Sequence, residues 1–365
     1  MPVLNPEALI DERVAALRKA HIDAKQPRAT VNLSGGIDSA VVAGLSVLAL
    51  GPENVTLIHS RMSTNGKQSD RARALASGLG CRLADGEFGG AFEVIVTELV
   101  NSLVKSGYSR DEIEARCAAD PTILGSIRSC LRAPIGRGGN RLTGGGLVHG
   151  TGNECEDRYL RFYQKGGDGE VDSNPIAMLT KGEVYQLALA LSLRFPAARD
   201  AYIATIEATP SPDLWGTGDG HSDEAELLSW LGAPFTYSRI SVETGEYSYV
   251  GTIERVARFL DDVAVPCPPD WIMEPYEPSW SNGVERLVFC GMLPEHQWVK
   301  LAEAANCSPS FKGSGLTPTE IEVLLKGARK AEAQTRHKLN PNIPTYGSRE
   351  ALVDAGILTD TLPNI

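Results

Sequence analysis

Apolar positions along the chain change period repeatedly, from helical spacing to short continuous runs and back. Leu9, Val14, Leu17 and Ile22 predict one face of an amphipathic helix, and "ATVNL" is a β-branched run of strand length. Gly35 and Gly36 interrupt the pattern, and a helix resumes near Asp38. "NVTLIHS" predicts a second buried strand. Ser69 then reads as the cap of a helix that carries Ala72, Leu75 and Leu79 and stops at Gly80. "AFEVIVTELVNSLV" has helical spacing, and "GGLVHGTGN" reads as a strand running into a glycine loop. Thr180 and Glu183 form a capping-box pair that sets Lys181 at the first helical position. Thr317, Pro318 and Glu320 repeat the logic, with Leu316 placed to staple on Ile321. That last helix runs toward Arg336, His337 and Lys338. Between Tyr237 and Gly315, prolines at 266, 268, 269, 275, 278 and 294 break the period and predict irregular structure with short helices. The alternation implies an α/β class: a doubly wound parallel sheet with flanking helices, plus a mainly helical or irregular C-terminal extension. Ligands of such sheets sit at the C-terminal ends of the strands, where the turn at Gly35 and the loop at Thr151 would both lie.

Composition narrows the function classes. A formal charge of −11 offers no basic face to a phosphate backbone, so a nucleic-acid partner is not expected. The seven cysteines are scattered and never spaced C-x-x-C, against both a disulfide framework and a zinc site. The opening residues carry no signal-peptide run, and no apolar stretch reaches the roughly 18 residues of a membrane span. A cytoplasmic protein without membrane contact is the expectation.

The turn "VNLSGGIDSA" joins a buried strand to a helix through small residues. Its backbone can approach a bound group closely, and the helix N-terminus favours an anion. No lysine follows as in the G-x-x-x-x-G-K-[ST] loop, so compensating charge has to come from elsewhere. Asp38 would repel a bare polyphosphate unless a divalent cation lay between them. On the glycines alone, a plain strand-to-helix turn with a helix-end acid reads as well.

Four blocks carry a resemblance. "SGGIDSA" resembles the pyrophosphatase loop of the N-type ATP pyrophosphatases. "HGTGNECEDRYLRFYQKGGDGEVDSNPIAMLTKGEV", "TPSPDLWGTGDGHSDEAEL" and "RHKLNPNIP" follow in the order found in NAD synthetases of the ammonia-dependent kind. The resemblance spans residues 28 to about 236 and 330 to 345. It implies an adenine nucleotide alpha hydrolase-like fold, with the synthetase domain at 1–236, an extension of unassigned role at 237–330, and a segment at 331–365 that returns to the active site. It further implies ATP-dependent amidation of deamido-NAD by ammonia through an adenylated intermediate, with Mg2+ as cofactor and ATP as co-substrate. Ser34, Gly35, Gly36, Ile37, Asp38, Ser39, Ala40 and Val41 would hold the ATP phosphates, with Arg61, Thr151, Lys181 and Ser211 also at the nucleotide. Asp38 and Glu156 would be magnesium ligands and, with Lys181, the catalytic set. Arg132, Lys165, Asp172, His337 and Lys338 would contact deamido-NAD. The resemblance implies a homodimer as well. No glutaminase domain is legible, so ammonia would be free or supplied by a separate glutaminase.

The chain departs from the family in "GSIRSCLRAPIGRGGNRLTGG", where Cys130 replaces an expected arginine. Pro134 should end the helix there, and the glycines after it suggest a remodelled loop. Arg132 is the assigned arginine, with Arg128 the alternative. The departure leaves room for the same chemistry on another carboxylate, nicotinate mononucleotide or a specialised metabolite, or for a regulator without catalysis.

Overall fold

The computed structural model describes residues 3–62, 66–164, 166–211, 222–262, 295–335 and 349–359. Four parallel strands, β1 (Ala29–Asn32), β2 (Val55–Arg61), β3 (Arg82–Glu87) and β4 (Leu147–His149), lie in the order β3-β2-β1-β4. Val31 pairs with Leu57 and with His149, so the turns after β1 and β4 leave the same sheet edge side by side. Alternation within the strands decides which helix covers which face. Val31, Val55 and Leu57 join the core beneath α1 (Pro6–Ala24), α2 (Ile37–Leu50), α3 (Gly66–Leu79), α7 (Lys181–Arg194) and α8 (Arg199–Glu207). Thr30, Asn32 and Ile58 point the other way, onto α6 (Thr122–Leu142). Helices on both faces make the sheet doubly wound, as the alternation implied. Two peripheral helices, α4 (Gly89–Lys105) and α5 (Arg110–Ala119), precede α6.

Three local expectations need correction. In α1 the buried stripe is Ile10, Val14, Leu17 and His21, and Ile22 is exposed because the 3.6-residue row reaches 21. Ser69 lies inside α3, where its hydroxyl meets His59 Nε2 at 3.0 Å. Pro134 does not end its helix: α6 continues eight residues past it. The glycines that suggested a loop let this helix lie directly on the sheet. A Cβ on Gly136 would fall 2.8 Å from the Asn32 amide group, and one on Gly139 would fall 2.3 Å from Ile58 Cδ1. Asn140 then donates to Thr30 Oγ1 at 3.0 Å. That seating offsets the helix bond the proline removes.

Beyond the sheet a second core forms. A π-helical turn (Cys155–Leu160), α9 (Asp223–Leu231), α10 (Thr252–Asp262), α11 (Glu295–Asn306) and α12 (Pro318–Thr335) pool Leu160, Leu227, Phe259, Trp298 and Leu324, with Phe235 from the loop after α9. A short hairpin, β5 (Arg239–Ile240) and β6 (Tyr247–Tyr249), leads into α10. The cluster straddles residue 236, the expected boundary. After α12, α13 (Arg349–Asp354) returns to the sheet core: Leu352 and Leu358 are buried there, and Arg349 meets Glu183 at 2.7 and 2.9 Å. No described helix is long and apolar enough to cross a membrane.

Candidate active site

The loop after β1 is pinned by its own serines. Gly36 N–H donates to Ser34 Oγ at 3.1 Å, Ser39 Oγ donates to Gly36 O at 3.0 Å, and the two hydroxyls lie 3.0 Å apart. Gly35 has φ +84, and a Cβ there would fall 2.1 Å from Gln68 O. Glycine is therefore required twice over, by conformation and by space. Gly36 caps α2 with no side-chain bond to the first-turn amides, which leaves that end of the helix as an anion seat.

Three charged groups converge beside this seat. Lys181 Nζ contacts Asp38 Oδ2 at 2.5 Å and Glu156 Oε1 at 2.9 Å, with only 3% of its side chain exposed. Each comes from a different element. Asp38 stands in the first turn of α2, Glu156 on the π-helical turn after β4, and Lys181 at the first position of α7, where the Thr180 and Glu183 capping box sets the helix start as the sequence implied. Asn153, wholly buried, donates to Asp38 Oδ1 at 3.0 Å and accepts from Glu156 N at 3.2 Å. Burial works against the lysine's charge, but the Asp38 and Glu156 carboxylates hold its pKa well above the usual lysine value. Burial raises Glu156, opposed by Lys181 and reinforced by Asp38. Asp223, at the start of α9, is pushed up to about 8 by burial, with Lys181 opposing.

An open cleft with a cavity volume of about 190 Å³ runs over these groups. Ser34, Gly36, Ile37, Asp38, Ser39, Thr151, Glu156, Lys181 and Ser211 line it, and so does Arg132. Ala40 and Val41, expected at the phosphates, are fully buried in the sheet core instead; Ala40 O accepts from Tyr202 Oη at 3.2 Å. Arg61 is not among the lining residues. It faces β3 in register with Glu87 and binds Asp85 at 2.8 Å and Glu87 at 3.2 Å. Asp172 is likewise engaged outside the lining, with Arg137 at 2.6 Å and Val148 N at 2.7 Å, where it joins α6 to β4. Lys165, His337 and Lys338 lie outside the described residues.

The cleft also holds residues the sequence reading passed over. Arg71 of α3 lines it and donates to Gly35 O at 2.8 Å, supplying the cation near the glycine loop that Arg61 does not. Asp168 lines the other end and accepts from Ser129 Oγ at 2.9 Å. Asp168 and Asn153 sat inside the quoted motifs and could have been singled out; Arg71 carries no local signal beyond its place on a helix.

The family model for NAD synthase matches residues 9–230. The chain belongs to the NAD synthase family. NH(3)-dependent NAD(+) synthetases from Methanosarcina acetivorans and Methanocaldococcus jannaschii are similar to it. The first is 34% identical over 206 residues, covering 56% of this chain and 70% of that protein. The second is 31% identical over 222 residues, covering 60% and 76%. Among solved structures, an NMN synthetase from Francisella tularensis shares the fold with a TM-score of 0.50 at 24% identity, over 61% of this chain and 81% of that one. A glutamine-dependent NAD(+) synthetase from Cytophaga hutchinsonii does so with a TM-score of 0.55 at 13% identity, over 90% of this chain and 49% of that one. The NAD synthase match takes in the glycine loop, Asp38, Glu156 and Lys181, and it ends before the hairpin and most of the second core.

Proposed function

We propose that the protein makes NAD from deamido-NAD, ammonia and ATP, releasing AMP and pyrophosphate. The observation that carries this reading is Lys181 held between Asp38 and Glu156 beside an uncapped helix start, in a chain of the NAD synthase family. The nicotinate carboxylate attacks the α phosphorus of ATP, a P–O bond to pyrophosphate breaks, and an acyl adenylate forms. Ammonia then adds to the acyl carbon, and the bond to AMP breaks as the amide forms. Adenylation is needed because a free carboxylate would have to expel oxide. The glycine loop and the α2 amides seat the leaving pyrophosphate, Lys181 offsets its growing charge, and the loops orient the reacting atoms. Thr151 and Ser211 are the hydroxyls on the ATP side; Arg132 stands toward deamido-NAD.

Asp38 and Glu156 fit a magnesium ion, being hard carboxylates from two loops that meet on one nitrogen. Magnesium takes one or two carboxylates and completes its shell with phosphate and water, and Asp38 and Glu156 supply that pair. Bound there, it would neutralise phosphate charge.

A homodimer is part of the proposal. Val94, Ile95, Leu99 and Leu103 leave α4 with an exposed apolar stripe, 64, 37, 49 and 40% exposed, of the kind a second copy covers. The five described cysteines are all free thiols, in keeping with a reducing cytoplasm. Ammonia would be taken free or from a separate glutaminase.

The test is NAD formation by purified protein given ATP, Mg2+, ammonium and deamido-NAD, read by an enzymatic cycling assay. Product from nicotinate mononucleotide but none from deamido-NAD would reassign the substrate.

A further inference from the structure

Residues beyond the family match reach the catalytic lysine at three points. Tyr237, 1% exposed, lays its ring over Lys181 with Nζ 5.0 Å from the ring centre. Glu254 of α10, 2% exposed, accepts from Gly182 N–H at 2.9 Å, one of the amides at the start of α7 that no helix carbonyl serves. Tyr247 of β6 closes on the same turn, so that a Cβ on Gly182 would fall 2.2 Å from its hydroxyl. Tyr237 is itself held: its amide donates to Glu224 Oε1 at 3.0 Å, and the same carboxylate meets Arg239 at 2.7 Å.

A lysine side chain is a long flexible stem with a point charge at its tip. Asp38 and Glu156 pull that tip toward the cleft, but both are also the candidate cation ligands. The aromatic face is the contact that a bound cation leaves in place, and in a buried site it attracts the ammonium strongly. The Tyr237 hydroxyl has no hydrogen-bond partner among the described residues, so the ring carries the interaction.

We infer that Tyr237, held by the second core, is a positioning residue for Lys181. The region after residue 230 is thereby a working wall of the active site. The inference rests on Lys181 acting at the ATP phosphates.

Tyr237→Phe, Tyr237→Leu and Phe259→Leu separate the possibilities. Phe259 packs edge-on against Phe311 within the same second core and serves as the control for mere loosening. Two readouts are taken: kcat and KM for deamido-NAD-dependent exchange of pyrophosphate into ATP, and the rate at which an amine-directed acylating reagent modifies Lys181, followed by peptide mass spectrometry. Tyr237→Phe should keep kcat within about twofold. Tyr237→Leu should lower kcat about tenfold with little change in KM for ATP, the scale of a lysine–aromatic contact in a dry site. Lys181 labelling should rise at least several-fold in Tyr237→Leu and stay unchanged in Tyr237→Phe and Phe259→Leu. Equal effects of Tyr237→Leu and Phe259→Leu, or a Phe variant as damaged as the Leu variant, would overturn the inference. Should Tyr237→Leu fail to fold, Tyr237→Met, an unbranched and more adaptable side chain without the aromatic face, is read the same way. A wild type without exchange activity would count against the proposed reaction alone, because the labelling comparison judges the contact by itself.

Discussion

Replacing Lys181 by methionine removes one positive charge from between two carboxylates that are each only 17% exposed. Their oxygens meet the same nitrogen, so they are left about 5 Å apart, where two unit charges at an effective dielectric near 20 repel by about 3 kcal/mol. On a chain of this size that cost lowers Tm by roughly 4 °C. Glu156 supplies the relief. Its pKa is already raised by burial even with Lys181 opposing. Without the lysine it rises further, so the repulsion is present above that folded-state value and disappears as pH falls through it. The Tm deficit of Lys181→Met should therefore shrink on acidification in differential scanning calorimetry, by up to about 1.4 kcal/mol per pH unit. Activity should fall by about 10²–10³, as for loss of one preorganised group at a developing charge. A deficit that widens on acidification, or kcat within tenfold of wild type, would refute the reasoning.

Three further outcomes are expected. Gly35→Ala meets both a left-handed φ and the Gln68 carbonyl, so nucleotide binding measured by calorimetric titration should weaken at least a hundredfold while the sheet remains folded. His149 is wholly buried, 2.9 Å from His21 Nε2 and 2.9 Å from Ser46 Oγ, and burial followed by the neighbouring His21 lowers its pKa to about 3. Its neutral form is favoured in the fold, so the stability it contributes is whole above pH 6.5 and drains as pH falls below, by about 2 kcal/mol at pH 5. His149→Asn should flatten that acid limb in denaturant titrations; Glu154 and Asp223, whose pKa values are raised, act in the opposite sense in both proteins and cancel from the comparison. Arg349→Met strands Glu183, fully buried, and should cost about 3–5 kcal/mol in urea unfolding, with Arg349→Lys recovering only part because it loses the bidentate geometry.

Much of the sheet core was legible because its signals are local. β-branched runs, the two capping boxes and the glycine turn each dictate their own backbone, and each appears where those residues imply. α6 was misread for a physical reason: proline and glycine were weighed as breakers, while what holds the helix is its contact with Asn32, Ile58 and Thr30, far away in sequence. The site divides the same way. Asp38, Glu156 and Lys181 stand at element starts fixed by caps and turns, and the structure brings the three together. Arg61 failed the expectation because two carboxylates on the neighbouring strand hold it, and strand register is invisible in one strand's sequence. The second core is built from contacts among the turn at 155–160 and helices spread from residue 223 to residue 335, which no local period announces.

Asp38 stands on α2, whose Ile37 and Ala40 are buried in the sheet core, whereas Glu156 rides on a turn whose apolar neighbours Cys155 and Leu160 are buried in the helical one. Their meeting on Lys181 therefore ties the two cores together. During synthesis the glycine loop leaves the ribosome long before α12 does, and for that interval the sheet core stands without the helices of the second one. Competence is set by the most distant contacts in the sequence, which are the slowest to form. The convergence of Asp38, Glu156 and Lys181 thus depends on long-range contacts as well as on the local turns.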